Sequence, residues 1–303
     1  MRAFTFRGPR ILSPSLRYDL KIKSPNIKKK YIRGIKWYGS KQMKLGNLLP
    51  YIRIVAELNS ATTFIDCCGG GGSVSININK TGYDFKRKIY NDINYGIYSL
   101  MSTIKDSNAV FDMIEQLIKM GYSKSTFQYC KTHRMDKDKS MVEIAAYNFM
   151  IAEASFNGAC NSYSKHNYQR YIKSIMGIVQ LGNSLSNTEI TNKSFQEIFK
   201  VYGNDVQALK YMDPPYHPAT REAANVYNYE MNRDQHKEMV DILCNSRCWI
   251  LSGYDPAEYG CDDYKPLEDA GAIKLSLGNY ALTSGSIRKN GILHKDEMIW
   301  LKD

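Results

Sequence analysis

Short, mostly apolar runs alternating with segments of helical periodicity set the pattern of this chain. Residues 62–66, 88–90, 208–212 and 249–252 form four such runs. They are too short for buried helices and lack strict polar alternation, which predicts strands covered on both faces of a mostly parallel sheet. Three of them lead into an acid, at Asp66, Asp92 and Asp213. Two later segments, 273–277 and 297–301, predict the last strands. Helices fall between the runs: His236, Met239, Val240 and Leu243 sit at i, i+3, i+4 and i+7, one face of a helix. Strand and helix in alternation give an α/β fold.

The stretch 105–205 breaks this alternation. It is helical in pattern, as at 141–154, with a polar, aromatic-rich run at 155–171. An interruption of that length is a module and not a loop. The expected organisation is therefore a core domain built from 34–104 and 206–303, with a helical insertion at 105–205. A chain of 303 residues is long enough for both.

Nothing approaches the roughly 20 uninterrupted apolar residues of a membrane span, so a soluble protein is expected. The seven cysteines contain no CxxC pair; Cys67 and Cys68 are adjacent, and Cys244 and Cys248 stand one helical turn apart. That spacing suggests neither a zinc site nor a disulfide framework. It points to a reducing cytoplasm and to no metal.

Charge changes the picture in one place. Residues 1–33 hold ten Lys and Arg against Asp19 alone, and so carry nearly all of the net +11. Such an arm reads as a solvated flexible extension, a polyanion-binding tail or a transit peptide. Charge by itself therefore does not establish nucleic-acid binding.

Candidate chemistry lies in two constellations. The first is Phe64-Ile-Asp-Cys-Cys-Gly-Gly-Gly-Gly-Ser73. A strand that ends in an acid and runs through glycines into a helix brings bare backbone close to a ligand. The helix beyond Ser73 offers unpaired N–H groups. Asp92, in Asn91-Asp-Ile-Asn94, ends the next strand, where an adenosine ribose presents its hydroxyls in a doubly wound fold. Four consecutive glycines are not GxGxxG, so a dinucleotide fits less well; a plain flexible turn is the other reading. The second constellation is Asp213-Pro214-Pro215-Tyr216, directly after a strand. Two prolines fix φ and remove two donors, which leaves rigid carbonyl acceptors. An acid, a fixed carbonyl and an aromatic ring together make a clamp for the exocyclic amine of a planar base. A polar turn that merely caps the strand is the alternative.

With these residues in view, the chain resembles the Dam-like (D12 class) N6-adenine DNA methyltransferases. Lys36-Trp-Tyr-Gly-Ser-Lys41 is similar to that family's amino-terminal KW-x-G-x-K motif, and Phe64 to Ser73 to its glycine-rich motif. Asn91 to Asn94 resembles its NDIN element and Asp213 to Tyr216 its DPPY motif. The tail, with Ser286-Ile-Arg288 and Asp296-Glu-Met-Ile299, resembles the closing segment. The resemblance implies a Rossmann-like S-adenosylmethionine-dependent methyltransferase fold with an inserted helical target-recognition module. It implies cofactor contacts from Trp37, Lys41, Asp66, Gly69, Gly70, Gly71, Asp92 and Asp213, although Trp37 also reads as a core aromatic and Lys41 as a surface lysine. Asp213, Pro214, Pro215 and Tyr216 become the catalytic group. Double-stranded DNA becomes the partner, with the target adenine flipped out of the helix and methylated by direct in-line transfer. In the insertion, Phe156 to Asn161 resembles the family's N-G-x-C-R segment, with Asn161 in place of the arginine that reads guanine in GATC-specific members. Asparagine suits adenine better. Asn157 and Asn161 are therefore the candidate base readers, and Lys165, Arg170 and Lys173 the candidate phosphate contacts. A cytoplasmic enzyme of bacterial or phage origin, a monomer, is expected.

Three other readings stay open from sequence: methylation of adenine in RNA, methylation of cytosine N4, and a catalytically silent DNA-binding relative. The target sequence and the existence of a partner restriction nuclease are not written in the residues.

Overall fold

The computed structural model describes residues 31–220, 230–281 and 294–303. The basic arm up to residue 30 and the Ser286-Ile-Arg288 motif lie outside the described residues.

In chain order the elements are α1 (Leu45–Asn59), β1 (Thr63–Asp66), α2 (Ser73–Asn77), β2 (Arg87–Asn91), α3 (Tyr95–Lys105), α4 (Ala109–Met120), α5 (Lys124–His133), α6 (Met141–Ala154) and α7 (Tyr168–Ser184). They continue with β3 (Glu189–Thr191), α8 (Phe195–Tyr202), β4 (Ala208–Met212), α9 (Arg233–Cys244), β5 (Trp249–Gly253), α10 (Lys265–Asp269), β6 (Ile273–Ala281) and β7 (His294–Lys302). The strands form one seven-stranded sheet in the order β3-β2-β1-β4-β5-β7-β6. The first five run parallel, and β7 is antiparallel to both β5 and β6.

The apolar runs become strands because both faces of the sheet are covered. Successive side chains point to opposite faces. Phe64, Leu209, Tyr211 and Ile250 accordingly pack with Leu48, Ile52 and Val55 of α1. Ile65, Met212, Trp249 and Leu251 pack with Ile198 of α8 and Met239, Val240 and Leu243 of α9. A third core joins α3 to α7 and is centred on α6, whose residues Ile144–Ala154 are buried on every side. Ser140 and Glu143 close a reciprocal capping box at the start of α6, which satisfies two of its orphan backbone donors.

The stretch 105–205 is not one continuous insertion. The helical layer begins with α3, directly after Asn94 caps its N-terminus, and it ends at Ser184. β3 then returns to the sheet as an edge strand beside β2, and α8 packs under the core. A three-residue polar edge strand, Glu-Ile-Thr, carries no apolar run to announce it. Among the described residues no helix is long and apolar enough to cross a membrane, and all seven cysteines are free thiols.

Candidate active site

In an open parallel sheet, ligands bind beyond the carboxyl ends of the strands where the strand order reverses. Here that point lies between β1, which ends in Asp66, and β4, which runs into Asp213. A cavity of about 420 Å³ opens there, within the range of small-molecule sites. Trp37, Lys41, Asp66, Gly69, Gly70, Gly71, Asp92, Asp213, Pro214, Pro215 and Tyr216 all line it. The structure thus gathers around one space all of the residues expected to hold a cofactor or to act on a base.

The glycine turn is held on three sides. Tyr90 donates to the Gly70 carbonyl at 2.7 Å, Ile35 N–H to Gly71 O at 2.9 Å, and Gly70 N–H to Asp92 Oδ2 at 2.8 Å. Glycine is required at two places. A Cβ on Gly69 would lie 2.1 Å from the Tyr90 ring, and one on Gly71 would lie 2.3 Å from the Ile35 carbonyl. The turn is therefore a backbone cradle pressed between β2 and the segment leading to Trp37, and not a loose loop.

Three carboxylates face the cavity with little water to solvate them. Burial pushes Asp66 up to about 7, although Ser75 Oγ donates to it at 2.7 Å, and the nearby Asp213 and Asp92 add to the rise. Burial likewise pushes Asp92 up to about 6, opposed by the N–H groups of Asn94 and Gly70. Asp213 is raised by burial and held back by Lys41.

Lys41 is buried, only 1% exposed, which settles the choice against a surface lysine. Its Nζ pairs with Asp213 Oδ1, donates to the Tyr216 hydroxyl at 2.9 Å and stands 3.2 Å from Glu297 Oε1. Burial would strip its proton, but the carboxylates of Asp213 and Glu297 overcome this and raise its pKa. The Tyr216 hydroxyl in turn donates to Glu297 Oε1 at 2.5 Å, and its ring meets Tyr254 edge-on with centroids 4.6 Å apart. Glu297 and its second partner, Lys44, were not among the expected site residues. A Glu flanked by Asp296 and Met298 in a strand gives no sequence signal of burial.

The recognition candidates lie elsewhere. Asn161, Lys165, Arg170 and Lys173 are exposed and do not line the cavity; the Asn157 side chain lies outside the described residues. Gly158, Ala159 and Cys160, between the two asparagines, do line the cavity. The aromatic-rich run divides. Tyr163 and Tyr171 turn inward against Tyr122, with centroids 5.3 and 4.9 Å away, while Tyr168 is 47% exposed. Two neighbours of this segment were missed by sequence. Lys131 Nζ donates to the Asn161 carbonyl at 3.0 Å. Glu153, fully buried on α6, accepts from Lys36 N–H at 2.8 Å and from Ser174 Oγ at 2.9 Å. Glu153 thereby ties the segment before Trp37 to α6 and α7.

One trio outside the cavity has metal-binding side chains. His217, Cys261 and Asp263 offer ligand atoms within 4.8 Å of one another. Here Asp263 is engaged by Arg233, at 2.6 and 3.0 Å, and by His217 Nε2 at 3.1 Å.

A comparison with curated proteins gives no match. Residues 37–248 match the D12 class N6 adenine-specific DNA methyltransferase family, a span that includes the glycine turn, Asp92 and the Asp213–Tyr216 turn. The chain belongs to this family of S-adenosylmethionine-dependent adenine methyltransferases.

Proposed function

We propose that the protein is a site-specific DNA methyltransferase that transfers a methyl group from S-adenosylmethionine to N6 of an adenine flipped out of the duplex. The observation that carries this reading is that one cavity is lined both by the glycine cradle with Asp66 and Asp92 and by Asp213 with the Pro214-Pro215 turn.

The cradle fits an adenosyl cofactor. Bare backbone at Gly69–Gly71 admits close approach, Asp92 offers its carboxylate to ribose hydroxyls, and three acids favour a cationic ligand. When bound, the cofactor supplies an electrophilic methyl group. Asp213 and the Pro214 carbonyl accept hydrogen bonds from the two N6 hydrogens and orient the nitrogen lone pair toward that methyl; one N6 proton leaves by way of Asp213 to solvent, and the cofactor departs without its methyl group. Tyr216 borders the base. The rate then comes from positioning and from stabilising the positive charge that develops on N6. Unstacking the adenine costs a few kcal/mol, offset by contacts to the flipped base.

Asn157 and Asn161 read bases, and Lys165, Arg170 and Lys173, with the basic arm, meet phosphates. Phosphate contacts orient the duplex, while base contacts specify sequence. An asparagine at 161 favours a target with adenine at the position it reads.

Replacing Asp213 with Ala tests this directly. With radiolabelled cofactor and duplex DNA, the variant is expected to lose at least 100-fold in methyl transfer, the scale of losing one preorganised polar group, and to melt below the wild type because Lys41 loses an anionic partner. Transfer within a few-fold of wild type would overturn the assignment.

A further inference from the structure

We propose that Glu297, on the last strand, is a positioning residue of the methyl-transfer site: its carboxylate holds Lys41 and Tyr216 in place and so keeps Asp213 available to the adenine amine. The inference rests on the proposed role of Asp213.

Glu297 is fully buried, 0% exposed. It gathers groups from distant parts of the chain. Lys44 pairs with Oε2, and Oε1 faces both Lys41 and the Tyr216 hydroxyl. Together Lys41, Lys44, Asp213 and Glu297 form a cluster of two cations and two anions, Lys41 and Glu297 fully buried and Lys44 and Asp213 partly so. Such a cluster is weak evidence for stability, because apolar residues of the same volume serve a core as well or better. Its cost points to a task other than holding the fold together.

The division of hydrogen bonds shows what that task is. Lys41 has three donors, and Glu297 takes part of its charge. Among the described residues the donors to Asp213, Lys41 and Ser252, use Oδ1, which leaves Oδ2 to an incoming amine. Without the Glu297 carboxylate, Lys41 has Asp213 as its only anionic partner in the cluster. Asp213 is then more fully neutralised and a poorer acceptor for N6. Tyr216 also loses its anionic acceptor, one of the contacts that hold its ring.

Among the described residues, the charged and titratable groups around Glu297 are Lys41, Lys44, Asp213 and Tyr216, with Tyr211 on β4, Tyr254 after β5 and Tyr280 on β6. Burial opposes its charge, but Lys41 and Lys44 hold its pKa below the ordinary value. It is therefore ionised throughout the working range. The alkaline limb of activity then reports loss of a proton from the Lys41–Lys44 pair that Glu297 holds; Lys44, lowered by burial and by Lys41, gives up its proton before Lys41, which Asp213 and Glu297 raise.

The test uses the full-length protein with Glu297→Gln, an isosteric change that keeps an acceptor but removes the charge. Cofactor affinity should stay within threefold of wild type. Single-turnover methyl transfer should fall at least tenfold, and the alkaline limb of its pH profile should move down by a unit or more. Glu297→Asp should recover part of both. Glu297→Gln leaves one buried cation in excess, so the double variant Glu297→Gln/Lys44→Met removes that burden. Recovery of the melting temperature without recovery of rate or pH profile supports positioning. Recovery of all three in the double variant would overturn it, as would an unshifted pH profile in Glu297→Gln. A wild type that methylates DNA, with Asp213→Ala inactive and Glu297→Gln unchanged, sinks this inference alone. An Asp213→Ala variant as active as wild type sinks the reading beneath it.

Discussion

Asp66 shows at the scale of one residue how the site trades stability for a ligand. Its carboxyl is buried behind the glycine cradle and takes up its proton at about 7 instead of 3.8. Between those two values the native state binds more protons than the unfolded chain. Stability therefore falls as pH rises across that window, by at most about 1.4 kcal/mol per unit of pH for this group. Asp92, raised to about 6, adds to the slope over the lower part of the window. Asp66→Asn keeps an acceptor for Ser75 but cannot ionise. The variant is expected to lose part of the slope and to be more stable than wild type at pH 8, when both are unfolded in urea at pH 5 and 8 without cofactor. Equal slopes in the two proteins would contradict the burial argument.

At the same scale, residue type was legible in sequence and environment was not. Asp66, Asp92 and Asp213 announce themselves because each follows an apolar run. Lys41 reads equally well as a surface lysine, and only the fold, by bringing β7 beside it, makes it a buried partner of Asp213 and Glu297. Tyr163 and Tyr171 sit in a polar, aromatic-rich run, yet both pack against Tyr122.

Among the elements, the turn between β1 and α2 carries most of the site. Its glycines are there because Tyr90 and the Ile35 carbonyl leave no room for a side chain. Gly71→Ala should destabilise the protein by about 1–3 kcal/mol, the cost of overpacking, and should weaken cofactor binding at least tenfold. The control is Gly177→Ala, inside α7, where an added Cβ meets nothing within 4 Å; that change should be neutral or stabilising by up to about 1 kcal/mol. Thermal unfolding and a cofactor titration of both variants check the pair; equal losses would contradict the cradle. The strands flanking this turn were legible because covered parallel strands must be apolar on both faces. β3 was not, since an edge strand of three residues needs no such run. Its place in the sheet follows from pairing with β2, a non-local fact.

For the whole molecule, the sheet order places the glycine cradle and the Asp213–Tyr216 turn side by side at the reversal point. The segment between Asn157 and Asn161 reaches the same cavity. Gly158 abuts the Lys36–Trp37 backbone so closely that an added Cβ would lie 3.0 Å from it. Glu153 ties the same region to α6 and α7. The segment proposed to read the target and the wall of the cavity are thus packed together, an arrangement that fits the proposed function. The most direct measurement is to express the protein in a host that lacks adenine methylation and to map modified bases across the host DNA. N6-methyladenine at one short recurring sequence, lost with Asp213→Ala, is the predicted result. Unmodified DNA from a soluble protein that still binds S-adenosylmethionine would contradict the account.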